Sequence, residues 1–128
     1  MENSGMVIDT SIFIEFLRKR DKSKTILALL PNNTSLFVSA VTVYELMMGA
    51  TDSQKKNDVE ILLEGVPVLP FNNDVSLKAA EIYHNLRRRN QLIEFRDIFI
   101  AATAIIFQLP IKTLNQAHFQ RIETLELV

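Results

Sequence analysis

The most constraining feature of this sequence is a ten-residue apolar run from Ile98 to Phe107, in which Thr103 is the single polar residue. At helical spacing its apolar side chains lie on every side, so we expect a helix buried between a sheet and neighbouring helices. The run is about half as long as a membrane-spanning helix needs to be. It therefore predicts the interior of a globular domain, and no interaction with a membrane is expected.

Short apolar segments recur on either side of this run and alternate with helical patterns. The predicted strands are Met6–Ile8, Leu36–Val38, Val66–Leu69, Pro110–Leu114 and Glu126–Val128. Strands that alternate with helices pair mainly in parallel, and the helices cover both faces of the sheet. The sequence therefore predicts the α/β class, as one three-layer α/β/α domain over residues 1–128 with a mainly parallel five-stranded sheet.

Composition and charge exclude several classes of function. Lys and Arg number 14 against 15 Asp and Glu, a formal net charge of −1, so any contact with nucleic acid must come from a local patch. The absence of cysteine excludes disulfides, thiolate metal sites and cysteine nucleophiles, and is typical of a reducing compartment. Residues 1–5 lack the residue order of a signal peptide, so we expect a cytoplasmic protein.

Three acidic residues stand beside elements that should pack in the core. Asp9 directly follows the first strand, Glu45 lies within a mainly apolar helical stretch, and Asp97 precedes the buried helix. Ligands of open parallel sheets gather beyond the carboxyl ends of the strands, where these acids would meet. Carboxylates that share a partly dry site repel one another unless a cation neutralises them. Oxygen ligands alone favour Mg²⁺ or Mn²⁺, which suit hydrolysis of a phosphodiester by metal-activated water.

Each of these acids also has a purely structural explanation. Asp9 would cap the helix that begins at Thr10, and Asp97 would interact with the dipole of its own helix. Glu45 would be the exposed residue of an otherwise apolar helix. From the residues alone, an α/β scaffold without an active site stays open.

Four sequence blocks resemble the PIN-domain family, specifically its VapC-like toxin ribonucleases of toxin–antitoxin pairs. The blocks are Val7–Ser11, Val41–Leu46, Arg96–Ala104 and Thr113–Phe119, and they follow one another in family order along nearly the whole chain. The resemblance implies a three-layer parallel-sheet fold and cleavage of RNA, single-stranded or structured. It also implies that Asp9, Glu45 and Asp97 are the catalytic ligands of Mg²⁺ or Mn²⁺.

The match to the family has departures and further candidate residues. Many members carry a fourth acid where this chain has His118, and Glu94, where many relatives have glycine, would replace that charge if it pointed inward. The alternative for Glu94 is a solvated loop residue. Asn115 fits a polar position that would hold water or metal, or simply a turn. Thr10 and Ser11 would orient the first acid or contact phosphate, unless one of them caps the following helix.

A basic run is the predicted contact with RNA phosphates. Arg87, Arg88 and Arg89 end a helix that Asn73 is predicted to cap, and Arg96 follows shortly after. A basic helix end is also expected from the helix dipole alone, which is the competing explanation.

The resemblance further implies a small antitoxin partner and a homodimer. The first helices carry more apolar side chains than one buried helical face requires, so part of this surface is predicted to contact another subunit or a partner helix. These side chains are Phe13, Phe16, Leu17, Ile26, Leu29 and Leu30. The alternative is that they pack in the chain's own core. A second hypothesis for function is a catalytically inactive PIN-like domain that binds RNA or protein, which the missing fourth acid favours.

Overall fold

The computed structural model describes residues 5–128. Most of the segment on which the signal-peptide prediction rests, residues 1–4, lies outside the described residues. The strands are β1 (Gly5–Ile8), β2 (Ser35–Ser39), β3 (Val68–Leu69) and β4 (Ile111–Lys112). The helices are α1 (Thr10–Arg18), α2 (Ile26–Leu29), α3 (Ala40–Gly49), α4 (Ser53–Leu63), α5 (Asn73–Arg88), α6 (Phe95–Ile106) and α7 (Gln116–Phe119), with a 3₁₀ turn at Lys22–Lys24. Between residues 5 and 128, no helix has the length and apolar character needed to cross a membrane.

The four strands form a parallel sheet in the order β3-β2-β1-β4. Val7 of the central strand pairs with Phe37 on one side and with Ile111 on the other. Because all strands run the same way, their carboxyl ends lie along one edge of the sheet. The predicted α/β class and parallel sheet are confirmed.

The predicted fifth strand is wrong as a strand. Leu127 forms a single parallel bridge with Ile111, flanked by hydrogen bonds from Ile111 N to Glu126 O and from Val128 N to Ile111 O. The ladder stays this short because β4 itself has only two residues, Ile111 and Lys112. The next residue, Thr113, turns its hydroxyl to Asp9, so the chain leaves the sheet at this point.

Alternating side chains of β1 enter two separate cores, one on each face of the sheet. Val7 packs with Ile111 and the helices α5 and α6, whereas Ile8 packs with Val38 and the helices α1, α3 and α4. Val7 and Ile8 are both fully buried. This two-sided burial explains the uninterrupted apolar character of β1 and confirms the three-layer arrangement. In α6, six residues are buried, as the apolar run predicts.

One local prediction needs correction. Asn72, not Asn73, caps α5: its backbone is extended and its side chain accepts a hydrogen bond from Val75 N at 3.0 Å, whereas Asn73 is already helical.

The apolar side chains of the first helices are buried to different degrees. Phe13 is fully buried, and Leu17, Ile26 and Leu30 pack partly buried against the same core. Leu29 is exposed, with 70% of its surface accessible. Contact of this surface with a partner stays a prediction.

Candidate active site

The parallel sheet places the first and last parts of the candidate site side by side. Asp9 follows β1 and is the N-cap of α1, while Thr113 follows the neighbouring strand β4. Glu45 lies in α3, which begins directly after β2. Asp97 lies in the first turn of α6, the buried helix. The strand order therefore gathers residues from both ends of the sequence at one edge of the sheet.

Asp9 is held by hydroxyl groups. The residue is 2% exposed, and its Oδ2 accepts hydrogen bonds from Ser11 Oγ at 2.7 Å and Thr113 Oγ1 at 2.8 Å. The Ser11 backbone N–H adds a longer contact of 3.4 Å, as expected of a helix cap. Asp9 thus caps α1 and also faces the candidate site, so its structural explanation and its functional one are compatible.

Sequence reasoning missed Thr113 as a separate site residue. Its side chain is buried, and its hydroxyl oxygen also accepts a hydrogen bond from Asn115 N at 2.9 Å. The signal was its position directly after β4, since β4 pairs with the strand that Asp9 follows. Asn115 therefore contacts this network through its backbone, and the residue itself is exposed.

Glu45 is held by one hydroxyl and one cation. Its Oε1 accepts a hydrogen bond from Thr10 Oγ1 at 2.7 Å, and its Oε2 forms an ion pair with Arg96 Nη1 at 3.2 Å. The Thr10 hydroxyl also lies 2.9 Å from Thr42 Oγ1 on α3. The Glu45 side chain is 11% exposed, whereas that of Arg96 is 50% exposed. Thr10 thus orients Glu45, while Ser11 orients Asp9.

Glu94 lies outside this inner group of acids. Its side chain is 65% exposed and its Oε2 accepts a hydrogen bond from Arg96 Nη2 at 2.7 Å. The hydrogen bond to Glu94 and the negative charge of Glu45 both raise the pKa of Arg96. Glu94 would replace the missing acid only if its side chain pointed inward. In this structure the side chain does not point inward.

Asp97 is the acid whose charge is least well compensated. Burial raises the pKa of Asp97 above its usual range, the nearby charge of Asp9 raises it further, and His118 opposes both effects. His118 Nδ1 lies 3.4 Å from Asp97 Oδ2; the nitrogen is buried and makes no hydrogen bond within residues 5–128. Asp9 and Asp97 are therefore close enough to repel each other in a partly dry site.

These donors fit a hard divalent cation, although the acids do not form one ready-made cluster. No three Asp, Glu or His side chains in residues 5–128 lie close enough together to hold an ion. The structure brings Asp9 and Asp97 together and leaves Glu45 beside them in its ion pair with Arg96. A cation between the two aspartates would relieve their repulsion, and their oxygen atoms are the ligands that Mg²⁺ and Mn²⁺ prefer.

The basic run is engaged to different degrees. Arg87 donates a hydrogen bond to Tyr83 Oη at 2.9 Å, and Arg89 donates to Asn85 Oδ1 and to a backbone carbonyl beyond α7. Arg88 is exposed and makes no side-chain hydrogen bond or ion pair among the described residues. Two of the three arginines thus stabilise the end of α5, while Arg88 faces solvent.

Two grooves flank the candidate site. One, of about 260 Å³, lies between α1, α3 and α4, and Glu45, Leu17, Lys55 and Asp58 are among its lining residues. The other, of about 430 Å³, lies between α5 and α6. It is lined by aromatic side chains, which are Phe71, Tyr83, Phe95 and Phe99. One groove is therefore partly charged and borders an acid of the site, and the other is almost wholly apolar.

Comparison with known proteins gives consistent matches over nearly the whole length of the chain. The model of the PIN domain matches residues 6–125. Ribonuclease VapC of Rickettsia bellii is 31% identical over 97% of this chain and 95% of that protein. Ribonuclease VapC1 of Methanocaldococcus jannaschii is 28% identical over 95% of this chain and 84% of that protein.

Solved structures agree with these sequence matches. A chain of VapBC-1 from nontypeable Haemophilus influenzae superimposes with a TM-score of 0.80 at 31% identity, covering 97% of this chain and 96% of that chain. A chain of VapBC2 from Rickettsia felis, solved with a DNA fragment from its promoter, gives a TM-score of 0.86 over 97% of both chains. At 24% identity, the second match shows a shared fold.

Proposed function

This chain belongs to the PIN-domain family, and on that premise we propose that it is a metal-dependent endoribonuclease, the toxin of a toxin–antitoxin pair. The relatives it resembles along nearly their full length are named ribonucleases. The observation that carries the proposal is a pair of carboxylates at the carboxyl edge of the sheet: Asp9, which is 2% exposed and held by the neutral hydroxyls of Ser11 and Thr113, and Asp97, whose charge lies nearby. Such a pair is costly for a scaffold and useful for an enzyme that binds a divalent cation.

In this proposal Asp9, Glu45 and Asp97 hold Mg²⁺ or Mn²⁺. When bound, the ion would supply a water activated for attack on an RNA phosphodiester. The chain's own residues fix the carboxylates: Thr113 and Ser11 hydrogen-bond to one oxygen of Asp9, and the other accepts no hydrogen bond from the part of the chain that the structure describes. Loss of a hydrogen bond that orients a metal ligand typically lowers metal affinity or activity by about ten- to a hundredfold.

The RNA chain would approach over the exposed basic residues. Arg88 is the leading candidate because it is exposed and has no side-chain partner among the described residues, and Arg96 is the second because it lies at the acids, although it is paired with two of them. Arg87 and Arg89 would contribute less, since their guanidinium groups are engaged within the protein. Asn115 would contribute through its exposed side chain next to Thr113.

The proposed protein partner is a small antitoxin. Related chains have been solved as VapBC, and one of these structures contains promoter DNA. The groove between α1, α3 and α4 has Glu45 in its lining, so a segment lying there would bring a basic residue to the acids. Co-expression with the adjacent small reading frame tests this part, because absence of a complex would contradict the toxin assignment without touching the nuclease assignment.

Self-association and location belong to the same proposal. Several large apolar side chains outside the two cores are exposed, among them Tyr44 at 63%, Met48 at 56% and Phe95 at 61%, which suits a homodimer. Sedimentation of the purified chain at micromolar concentration distinguishes a monomer from a dimer. We place the protein in the cytoplasm, where its RNA substrate would be, and the absence of cysteine suits that reducing compartment.

Cleavage of a labelled single-stranded RNA by the purified protein tests the nuclease proposal. We expect cleavage with Mg²⁺ or Mn²⁺, and loss of cleavage when EDTA removes the ion. The competing candidate is an inactive PIN-like domain that binds RNA or protein, which is favoured by His118 standing where many relatives have a fourth acid. RNA binding without cleavage under any divalent ion would support that candidate and contradict ours.

A further inference from the structure

The guanidinium of Arg96 bridges two carboxylates with very different surroundings. Nη1 lies 3.2 Å from Oε2 of Glu45, whose side chain is 11% exposed, and Nη2 lies 2.7 Å from Oε2 of Glu94, whose side chain is 65% exposed. One arm of the guanidinium thus reaches into the site while the other stays at its mouth. A planar fork of donors makes arginine suited to bridging two carboxylates in this way.

The inner contact occupies the one Glu45 oxygen that the hydroxyl network leaves open. Oε1 is already bound by Thr10, so Oε2 is the oxygen at which Glu45 would meet a metal ion. A guanidinium and a divalent cation at the same oxygen would repel each other, and the oxygen cannot satisfy both. Binding of an ion at Oε2 of Glu45 would therefore displace the inner arm of Arg96.

The outer contact, with Glu94, would hold Arg96 after it leaves Glu45. Glu94 precedes α6 and is mostly exposed, so the guanidinium can keep this partner while its inner arm turns into solvent. The Arg96 side chain is half exposed, so solvent already reaches part of the guanidinium's surroundings. Release from Glu45 is thus a short rotation that retains one ion pair.

We propose that Arg96 is a positioning residue that holds Glu45 in the metal-free protein and is displaced when a divalent cation binds. The inference rests on the proposed metal-dependent function and adds an order of events to it. The ion replaces the guanidinium at Glu45, and the released arm of Arg96, still paired with Glu94, lies beside the place where the RNA phosphate would lie. Arg96 therefore lowers the affinity of the site for metal. It also compensates the negative charge of Glu45 until a metal ion binds.

Calorimetric titration of the full chain with Mn²⁺ alone tests this proposal. At an ionic strength of about 0.15 M, where exposed charges are largely screened, Arg96→Gln should lower the Mn²⁺ dissociation constant by about fivefold, the size expected from a partly exposed ion pair. Arg96→Lys keeps the charge and should stay near the wild type. Arg20→Gln is the matched control, because it removes the same charge from an exposed residue that has no ion pair among the described residues.

A double-mutant cycle separates displacement from a general effect of charge. Glu45→Gln removes the contested ligand, so adding Arg96→Gln to that variant should leave Mn²⁺ affinity unchanged. An equal gain with and without Glu45, or no gain at all in Arg96→Gln, would overturn the proposal while leaving the metal site intact. If neither the wild type nor Arg96→Gln binds Mn²⁺, the proposed metal-dependent function fails, and this inference fails with it.

Discussion

Asp9 and Glu45 lie in the same candidate site but are stabilised by opposite chemistry. Asp9 is buried among neutral hydroxyl donors and has the acid Asp97 nearby, whereas Glu45 is paired with the positive charge of Arg96. Neutral donors orient a carboxylate without cancelling its charge, and a guanidinium does both. Asp9 and Asp97 are thus the acids whose charges a divalent cation would neutralise, whereas the charge of Glu45 is already neutralised by Arg96.

The largest effect should come from removing the uncompensated side of this comparison. Asp9→Asn keeps the shape and the helix cap but loses the charge, so RNA cleavage should fall by more than about a hundredfold. This fall exceeds the one usually seen when a hydrogen bond to a metal ligand is removed. The measurement is the initial rate of cleavage at saturating Mn²⁺. Asp74→Asn, an exposed acid in the first turn of α5, is the control and should retain activity. Equal rates for Asp9→Asn and the wild type would contradict the site.

A smaller effect should follow when Asp9 keeps its charge and loses its orientation. Thr113→Val preserves the volume and removes the 2.8 Å hydrogen bond to Asp9, so we expect Mn²⁺ affinity to fall by about tenfold. The same change should cost about 1 kcal/mol of unfolding free energy, as lost hydrogen bonds typically do. Titration calorimetry and urea unfolding measure the two effects. Thr51→Val, at an exposed position, is the matched control; an unchanged affinity in Thr113→Val would assign the hydroxyl to folding alone.

Sequence reasoning could place the acids because each of them lies beside a predicted element. Asp9 follows an apolar strand and Asp97 begins an apolar helix, and parallel topology then brings strand ends to one edge. The hydrogen bond from Thr113 was beyond such reasoning, since it joins residues 104 positions apart through the pairing of β1 with β4. The Arg96 ion pair with Glu45 was also missed, because the sequence does not show which acids a long side chain can reach in the folded protein.

The length of the fourth strand was overestimated for a related reason. Pro110–Leu114 has the composition of a strand, but β4 ends at Lys112 and the hydroxyl of Thr113 hydrogen-bonds to Asp9. The apolar residues of α1 and α2 were expected to exceed what one buried helical face requires, and most of them are only partly buried. Tertiary packing determines the length of a strand and the burial of these side chains, and local sequence patterns do not encode that packing.

The pH dependence of stability should expose the repulsion between Asp9 and Asp97. The pKa of Asp97 is raised above its ordinary value of 3.8, so its contribution to stability is present below that value and is lost as pH rises through the raised pKa. Urea unfolding in EDTA should therefore show that the wild type loses stability relative to Asp97→Asn as pH rises from the acid range towards neutrality. Adding Mn²⁺ should offset this loss. A difference between the two proteins that does not vary with pH would argue against the repulsion.

The smallest effect should distinguish, within the basic run, an arginine that faces solvent from one that is hydrogen-bonded within the protein. Arg88→Gln should weaken RNA binding and reduce the slope of log affinity against log salt by about 0.7, the value for one contact to a single-stranded phosphate. Arg87→Gln, whose guanidinium is engaged by Tyr83, should change the slope less. Filter binding with Ca²⁺ in place of Mg²⁺ gives both slopes. Identical slopes for Arg88→Gln and the wild type would assign the basic run to ending α5.

We propose that the pair Asp9 and Asp97 forms a site for a divalent ion. Anomalous diffraction from crystals soaked in Mn²⁺, recorded at the manganese absorption edge, tests this proposal. We expect a peak in contact with carboxylate oxygens of both aspartates, with the guanidinium of Arg96 turned away from Glu45. A crystal that binds Mn²⁺ elsewhere and shows no peak between Asp9 and Asp97 would contradict it.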